Sequence, residues 1–199
     1  MIFNHIILAT LWLVYCVLHS VLASPPFKKW IRQKIKDYKW YRLWYTLFAF
    51  VFLSALVYYQ ASMPTVRLLL INDFILIAGF IFSFSGIILM VICIGKYFMS
   101  ISGLRSLVTE NFSNELQITG IHRFVRHPLY LGTFAFIWGL FLLIPNLSLL
   151  IADIIITAYT IIGIRLEEAK LIAEFGEDYR QYQKRVPSLI PSLKSKREV

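Results

Sequence analysis

The chain has 199 residues, of which 58% are hydrophobic, and a formal net charge of +9. Its mean hydropathy of +0.68 excludes a water-soluble domain of this length and indicates an integral membrane protein. The four histidines and two cysteines do not have the spacing of metal ligands, so we expect no metal site.

Five apolar segments are candidate transmembrane helices, because roughly 20 helical residues cross a hydrocarbon core about 30 Å thick. In chain order they are residues 2–24, 43–62, 74–95, 128–144 and 147–164. The last two are short and are separated only by Pro145 and Asn146, which predicts a tight helical hairpin. We therefore expect an all-α integral membrane protein with about five transmembrane helices.

Basic residues are concentrated in the connections that would lie on one side of the membrane. On the opposite side, the predicted connections contain one basic residue, Arg67. Because short cytoplasmic loops accumulate Lys and Arg, residues 25–42, 96–127 and 165–199 are predicted to be cytoplasmic, with the N-terminus outside. This distribution favours contact with membrane lipid, and no nucleic-acid partner is expected because a separate basic domain is missing.

The chain is expected to form one domain over residues 1–199, since no internal repeat or domain boundary is visible. Residues 1–95 would supply three N-terminal helices, and residues 96–191 a long cytoplasmic connection, the hairpin and a tail. A connection as long as 96–127 is more often functional than merely connective. Apolar residues recur at helical spacing through residues 166–182, which predicts a cytoplasmic amphipathic tail helix.

Two polar motifs frame the predicted hairpin: RHPLY at residues 126–130 and RLEE at residues 165–168. A short hairpin would return both motifs to the same side of the membrane. Ionisable groups at the end of a span tend to line substrate or cofactor cavities when they face the bundle, so the motifs together predict a site. The structural alternative is a surface pair of Arg165 with Glu168, which would contribute only about 0.2–0.5 kcal/mol.

The two motifs lie in longer segments, ELQITGIHRFVRHPLYLG and GIRLEEAKLIAEFGEDYRQYQKRVPSLIP. Together these segments resemble the C-terminal half of the isoprenylcysteine carboxyl methyltransferase and phospholipid N-methyltransferase superfamily. The resemblance covers residues 115–191 and consists of Arg-His-Pro-x-Tyr, a hairpin, a Glu-Glu pair and Phe-Gly-x-x-Tyr-x-x-Tyr. In the N-terminal half, LHSVLAS, WYRLWY and SGLR are similar to the branch that contains methanethiol S-methyltransferases and NnrU-like membrane proteins.

The resemblance implies an S-adenosylmethionine-dependent membrane methyltransferase, in a multi-pass protein of a bacterial inner membrane. Its acceptor would be small or lipophilic: a thiol such as methanethiol, an isoprenylcysteine-type carboxylate or an amine lipid. The implied catalytic residues are Arg165, which would orient a carboxylate acceptor, and His127. The implied cofactor-binding residues are Gly120, Ile121, His127, Tyr130, Glu167 and Glu168. Carboxylates suit the cationic sulfonium and amino groups of this cofactor, and imidazole and phenol offer hydrogen bonds and stacking faces.

Other interpretations stay open at the level of the sequence. Some sterol and steroid reductases resemble the same C-terminal architecture, so a membrane reductase that uses NADPH is the alternative enzyme, and a non-catalytic NnrU-like protein is the third interpretation. His19 either packs between helices or belongs to the site. Asp153 either lines the acceptor cavity or makes a structural hydrogen bond. The oligomeric state is left open.

Overall fold

The computed structural model describes residues 1–34, 40–101, 116 and 118–191, without the side chains of residues 42 and 96–101. The helices are α1 (Ile2–Ala23), α2 (Pro25–Lys34), α3 (Tyr41–Ser62), α4 (Asp73–Ile101), α5 (Pro128–Leu143), α6 (Leu147–Phe175) and α7 (Glu177–Arg185), with a 3-10 helix at Gly120–Arg123. Within these ranges no β-strand occurs, which confirms the predicted all-α class. Most of the predicted cofactor-binding loop, residues 102–115, lies outside the described residues.

In the described part of the chain, four helices are long and apolar enough to cross a membrane: Ile2–Ala23, Leu43–Ser62, Asp73–Gly95 and Leu147–Phe175. The chain is therefore a multi-pass membrane protein. Helix α5, the fourth of the five predicted spans, has 16 residues, fewer than the roughly 20 that cross the hydrocarbon core. A fifth crossing by α5 stays a prediction.

Helix α6 continues 11 residues past the predicted end of the fifth span at residue 164, so the start of the predicted tail helix belongs to the same 29-residue helix. The segment after residue 164 is made of good helix formers and contains no proline, which explains the continuity. The helix ends at Gly176, whose φ of 57° is a left-handed conformation that favours glycine. This turn redirects the chain into α7.

Helices α4 and α5 pack closely through glycines spaced seven residues apart on each helix. Gly86 faces Gly132, and a Cβ added at Gly86 would lie 2.5 Å from the backbone nitrogen of Phe136. Gly139 of α5 faces Ser83 of α4, and a Cβ added at Gly139 would lie 2.5 Å from the backbone nitrogen of Ser83. Small residues let membrane helices approach until their backbones touch. The position of RHPLY, at the start of α5, is thereby fixed by α4.

Helix α1 packs against both α3 and α6. The buried centre of this packing consists of Leu8, Trp12, Leu56, Met63 and Ala152. The indole nitrogen of Trp12 donates to Gln60 Oε1 on α3 at 2.8 Å, which satisfies a polar group inside the bundle. As a result the end of α1 that carries His19 lies beside the part of α6 that leads into RLEE.

Candidate functional site

The RHPLY motif is positioned by the start of α5 and by the chain that follows α7. Pro128 occupies the first turn of α5, where a missing backbone N–H costs nothing. The backbone nitrogen of Arg126 donates to the carbonyl of Pro187 at 2.9 Å, and that of His127 donates to the carbonyl of Ser188 at 3.0 Å. These two bonds hold the motif against the end of the tail.

Arg126 joins three parts of the chain through one guanidinium group. Its Nε and Nη2 donate to Glu168 Oε1 at 2.8 and 2.6 Å, and its Nη1 donates to the backbone carbonyls of Gln183 and Val186. The Arg126 and Glu168 side chains are only 11% and 18% exposed. A charged pair this poorly hydrated is stable only when its remaining donors and acceptors are satisfied, as they are here.

Glu168 uses both carboxylate oxygens inside this cluster. Oε1 is also 3.0 Å from His127 Nε2, and Oε2 accepts from Gln183 Nε2 at 3.0 Å. The alternative surface pair of Glu168 with Arg165 is wrong, because Arg126 takes the place of Arg165. Arg165 is exposed on α6 and makes no hydrogen bond or ion pair with any residue in the described ranges.

Glu167 points in a different direction from its neighbour, as adjacent residues on a helix must. Its Oε2 accepts from the Tyr130 hydroxyl at 3.0 Å and lies 3.7 Å from His127 Nδ1. The rings of His127 and Tyr130 are stacked, with centroids 5.6 Å apart and planes 20° apart. The His127 side chain is 4% exposed and that of Glu167 is 45% exposed. Glu167 is therefore the outward-facing carboxylate of RLEE.

The short 3-10 helix brings Gly120 and Ile121 to the edge of the same cluster. Tyr182 of α7 donates to the carbonyl of His122 at 2.7 Å, and His122 Nδ1 lies 3.1 Å from the carbonyl of Arg126. Gly120 has a φ of 65°, which favours glycine, and it is exposed. The six predicted cofactor-binding residues therefore lie at the same end of the bundle, with His127, Tyr130, Glu167 and Glu168 in direct contact.

The predicted amphipathic tail is anchored through the buried aromatic residues of α7. Tyr179, Tyr182 and Val186 pack against Leu116, Leu171, Ile172 and Phe175. Tyr179 is 1% exposed, and burial raises the pKa of its phenol to about 12, so it remains neutral over the physiological range. The spacing Phe-Gly-x-x-Tyr-x-x-Tyr thus encodes a helix end followed by an anchored helix.

A cavity of about 880 Å³ adjoins the cluster, between α1, α2 and α6. Tyr130 and Glu167 line it from the cluster. Its other lining residues include His19, Tyr159, Lys28, Lys29, Arg32 and Lys170. Asp153 is not among its lining residues: it is 2% exposed inside α6, and its Oδ2 has no hydrogen-bond partner in the part of the chain that the structure describes.

Two groups of this cluster were not assigned a role from the sequence. Arg126 enters the sequence prediction only as a member of the RHPLY motif, and Gln183 lies outside both motifs. Their partner Glu168 lies 42 residues from Arg126 and 15 from Gln183, so helical spacing could not pair them. The sequence predicts only that the two motifs lie on the same side of the membrane. This predicts a cluster but not which of its residues are hydrogen-bonded.

Comparison with known proteins gives consistent matches. A family model described as phospholipid methyltransferase matches residues 74–178, more than half of the chain. Methanethiol S-methyltransferase 1 of Bradyrhizobium diazoefficiens is 32% identical over 92% of this chain and 65% of its own length, so the chain spans about two thirds of that relative. Methanethiol S-methyltransferase of Crocosphaera subtropica is 28% identical over 92% of this chain and 73% of its own length.

Protein-S-isoprenylcysteine O-methyltransferase of Schizosaccharomyces pombe is 33% identical, over 51% of this chain and 47% of its own length. No solved structure matches the chain. The family match includes both RHPLY and RLEE, together with the helices that bring them into contact. From this match, and from relatives that align along nearly the whole chain, the protein belongs to the phospholipid methyltransferase family of membrane methyltransferases.

Proposed function

We propose that the protein is an S-adenosylmethionine-dependent methyltransferase that methylates a thiol at the cytoplasmic side of a bacterial inner membrane. The observation that carries this proposal is the different environment of Glu167 and Glu168. Glu168 is fully engaged in holding Arg126 and His127, whereas Glu167 offers a partly exposed carboxylate to a large cavity. Family membership supplies the reaction class.

The residues present fit the proposed cofactor. Glu167 Oε1 accepts no hydrogen bond from the described residues, so it can accept one from an ammonium or hydroxyl group of a ligand. The Tyr130 ring, stacked on the buried His127, gives a flat surface beside that carboxylate, and the backbone of the exposed Gly120 and the partly exposed Ile121 offers further polar groups. Bound S-adenosylmethionine would supply an electrophilic methyl group attached to a sulfonium.

The protein's own contribution is positioning. Methyl transfer by displacement needs the acceptor in line with the bond that breaks. Alignment together with exclusion of water can lower the barrier by roughly several kcal/mol. Glu168, Arg126 and Gln183 hold His127 and the start of α5 in one arrangement. Arg165 would orient the acceptor only if that acceptor carried a carboxylate, which the proposed thiol does not.

A thiol acceptor is supported by the extent of the alignments. Three methanethiol S-methyltransferases align with 92% of this chain and a fourth aligns with 89%, whereas two others align with 37% and 36%. Two protein-S-isoprenylcysteine O-methyltransferases align with 51% and 41% of this chain, so the relatives that align through the N-terminal helices are methanethiol S-methyltransferases. Likeness that extends through the N-terminal helices therefore favours the thiol acceptor over the carboxylate or the amine lipid.

The test begins with protein purified in detergent, whose binding of S-adenosylhomocysteine is measured by calorimetry. Thiol, isoprenylcysteine and amine-lipid acceptors are then compared with a labelled methyl donor. We expect saturable binding and methylation of thiols in preference to the other two classes. Absence of S-adenosylhomocysteine binding together with binding of NADPH would overturn the proposal in favour of a reductase.

A further inference from the structure

His19 forms part of the wall of the cavity, at the end of α1. Aromatic side chains from three helices hold its ring. The Tyr45 hydroxyl of α3 lies 3.0 Å from Nδ1 and 3.1 Å from Nε2. The rings of Tyr15 of α1 and Tyr159 of α6 lie 5.9 and 6.4 Å away, between centroids. The imidazole is thus fixed in orientation at a surface that a small molecule in the cavity can touch.

The same cavity is lined by Tyr130 and Glu167, the two residues that connect it to the proposed cofactor site. A small molecule beside His19 would therefore share the cavity with the proposed methyl donor. A thiol reacts as its thiolate, and histidine is the side chain whose ordinary pKa lies closest to neutrality. Lys28 and Lys29 also line the cavity, and positive charge favours the thiolate once it has formed.

We infer that this cavity is the binding site for a neutral thiol acceptor and that His19 is the base that removes its proton. The inference rests on the proposed function. The acceptor S–H bond breaks and its proton goes to a ring nitrogen of His19. The sulfur electron pair forms the new bond to the methyl carbon, while the bond from that carbon to the donor sulfonium breaks and leaves its electron pair on the donor sulfur. The products are a thioether, the demethylated donor and protonated His19.

The second histidine of α1 shows what a packing histidine looks like in this helix. His5 is 6% exposed, and its ring nitrogens lie 2.9 Å from the carbonyl of Met1 and 3.4 Å from Thr65 Oγ1. Both of its ring nitrogens are therefore used within the protein, and His5 does not line the cavity. The two ring nitrogens of His19 instead share one hydroxyl, that of Tyr45, and His19 lines the cavity.

The test compares an alkanethiol with an aryl thiol acidic enough to be a thiolate at neutral pH. In His19→Ala we expect methylation of the alkanethiol to fall by about 100-fold or more, the usual contribution of a general base, and methylation of the aryl thiol to change little. The affinity for S-adenosylhomocysteine should stay at the wild-type value. Tyr45→Phe keeps the imidazole, so methylation of the alkanethiol should fall by a smaller factor and methylation of the aryl thiol should again change little.

His5→Ala is the matched control, because it removes a buried histidine from the same helix. It should lower the melting temperature without changing the ratio of alkanethiol to aryl thiol rates. An equal loss for both thiols in His19→Ala and Tyr45→Phe, or no loss in His19→Ala, would overturn the assignment of the base.

A readout without turnover uses S-adenosylhomocysteine in place of the donor. Ultraviolet difference spectra should show the thiolate band of bound alkanethiol in the wild type and not in His19→Ala. Wild-type protein that binds no S-adenosylhomocysteine would overturn the proposed function itself. Wild-type protein that binds S-adenosylhomocysteine but methylates only carboxylates or amines would overturn the thiol site and its base, and leave the cofactor site standing.

Discussion

Two adjacent glutamates in RLEE have different roles because the helix turns by about 100° between them. Glu168 faces the bundle, where Arg126, His127 and Gln183 satisfy both of its oxygens. Glu167 faces the cavity and shares one oxygen with Tyr130. The family resemblance implies that both glutamates bind the cofactor. Because both oxygens of Glu168 are bonded within the protein, we propose Glu167 as the direct ligand and Glu168 as a residue that positions its neighbours.

Glu167→Gln should leave the unliganded protein as stable as the wild type, because the side chain is 45% exposed. We expect a loss of about tenfold in affinity for S-adenosylhomocysteine, since one charge-assisted contact is removed at a partly hydrated site. At a ligand concentration about 100 times the wild-type dissociation constant, the ligand-induced gain in stability should fall from about 2.7 to about 1.4 kcal/mol. Thermal unfolding in detergent, with and without ligand, measures both quantities.

Glu168→Gln should behave differently from Glu167→Gln. It weakens bonds to Arg126 and His127, so the unliganded protein should lose about 1.5–3 kcal/mol, the range for hydrogen bonds to charged groups. Glu177→Gln is the control, because Glu177 is 59% exposed and its contacts to Arg180 and Lys184 are 3.9 Å long. It should change stability by tenths of a kcal/mol and leave the ligand effect intact. If Glu167→Gln kept the wild-type gain in stability on ligand binding, Glu167 would not be a ligand of the cofactor.

At the scale of the helices, the close contact of α4 with α5 determines where RHPLY lies. Glycines seven residues apart are visible in each segment of the sequence, but only tertiary packing identifies their partners. Helix α6 continues through RLEE because that segment contains no helix breaker. This feature can be recognised in the local sequence. The start of the tail was misplaced because hydropathy falls at residue 164 although the helix does not end there.

Gly86→Ala tests the α4–α5 contact. Its new Cβ would lie 2.5 Å from a backbone nitrogen and 2.6 Å from a backbone oxygen, so the helices must separate. We expect a loss of about 1–3 kcal/mol in the free energy of unfolding, as for other overpacked sites. Gly163→Ala on α6 is the matched control, since its Cβ would meet nothing within 4 Å, and it should gain about 0.5–1 kcal/mol from helix propensity. Equal effects of the two substitutions would contradict the packing described.

At the scale of the whole molecule, the cluster and the connection that contains Arg67 lie at opposite ends of the bundle. Arg67 pairs with Asn146 at the turn between α5 and α6, whereas the cluster forms at the start of α5. The charge pattern of the sequence predicts which end is cytoplasmic. The cavity could not have been predicted, because it depends on how α1 and α2 pack beside α6, and hydropathy contains no information on neighbouring helices.

The predicted topology can be tested by labelling single cysteines in a background without Cys16 and Cys93. Lys34→Cys and Arg123→Cys should react only with reagent on the cytoplasmic side, because both lie in basic connections. Arg67→Cys should react only from the opposite side. Labelling of Arg123→Cys from outside the cell would contradict the cytoplasmic location of the site.

The central claim is that RHPLY and RLEE form one binding site for the methyl donor. Hydrogen–deuterium exchange of the full chain in detergent, with and without saturating S-adenosylhomocysteine, tests it most directly. Protection should increase in peptides that cover residues 118–130 and 165–170, and in the segment 183–188 that is bonded to Arg126 and His127. The far end of the bundle, around Arg67 and Asn146, should be unchanged. Unchanged exchange in both motifs at saturating ligand, or protection confined to the far end, would contradict the account.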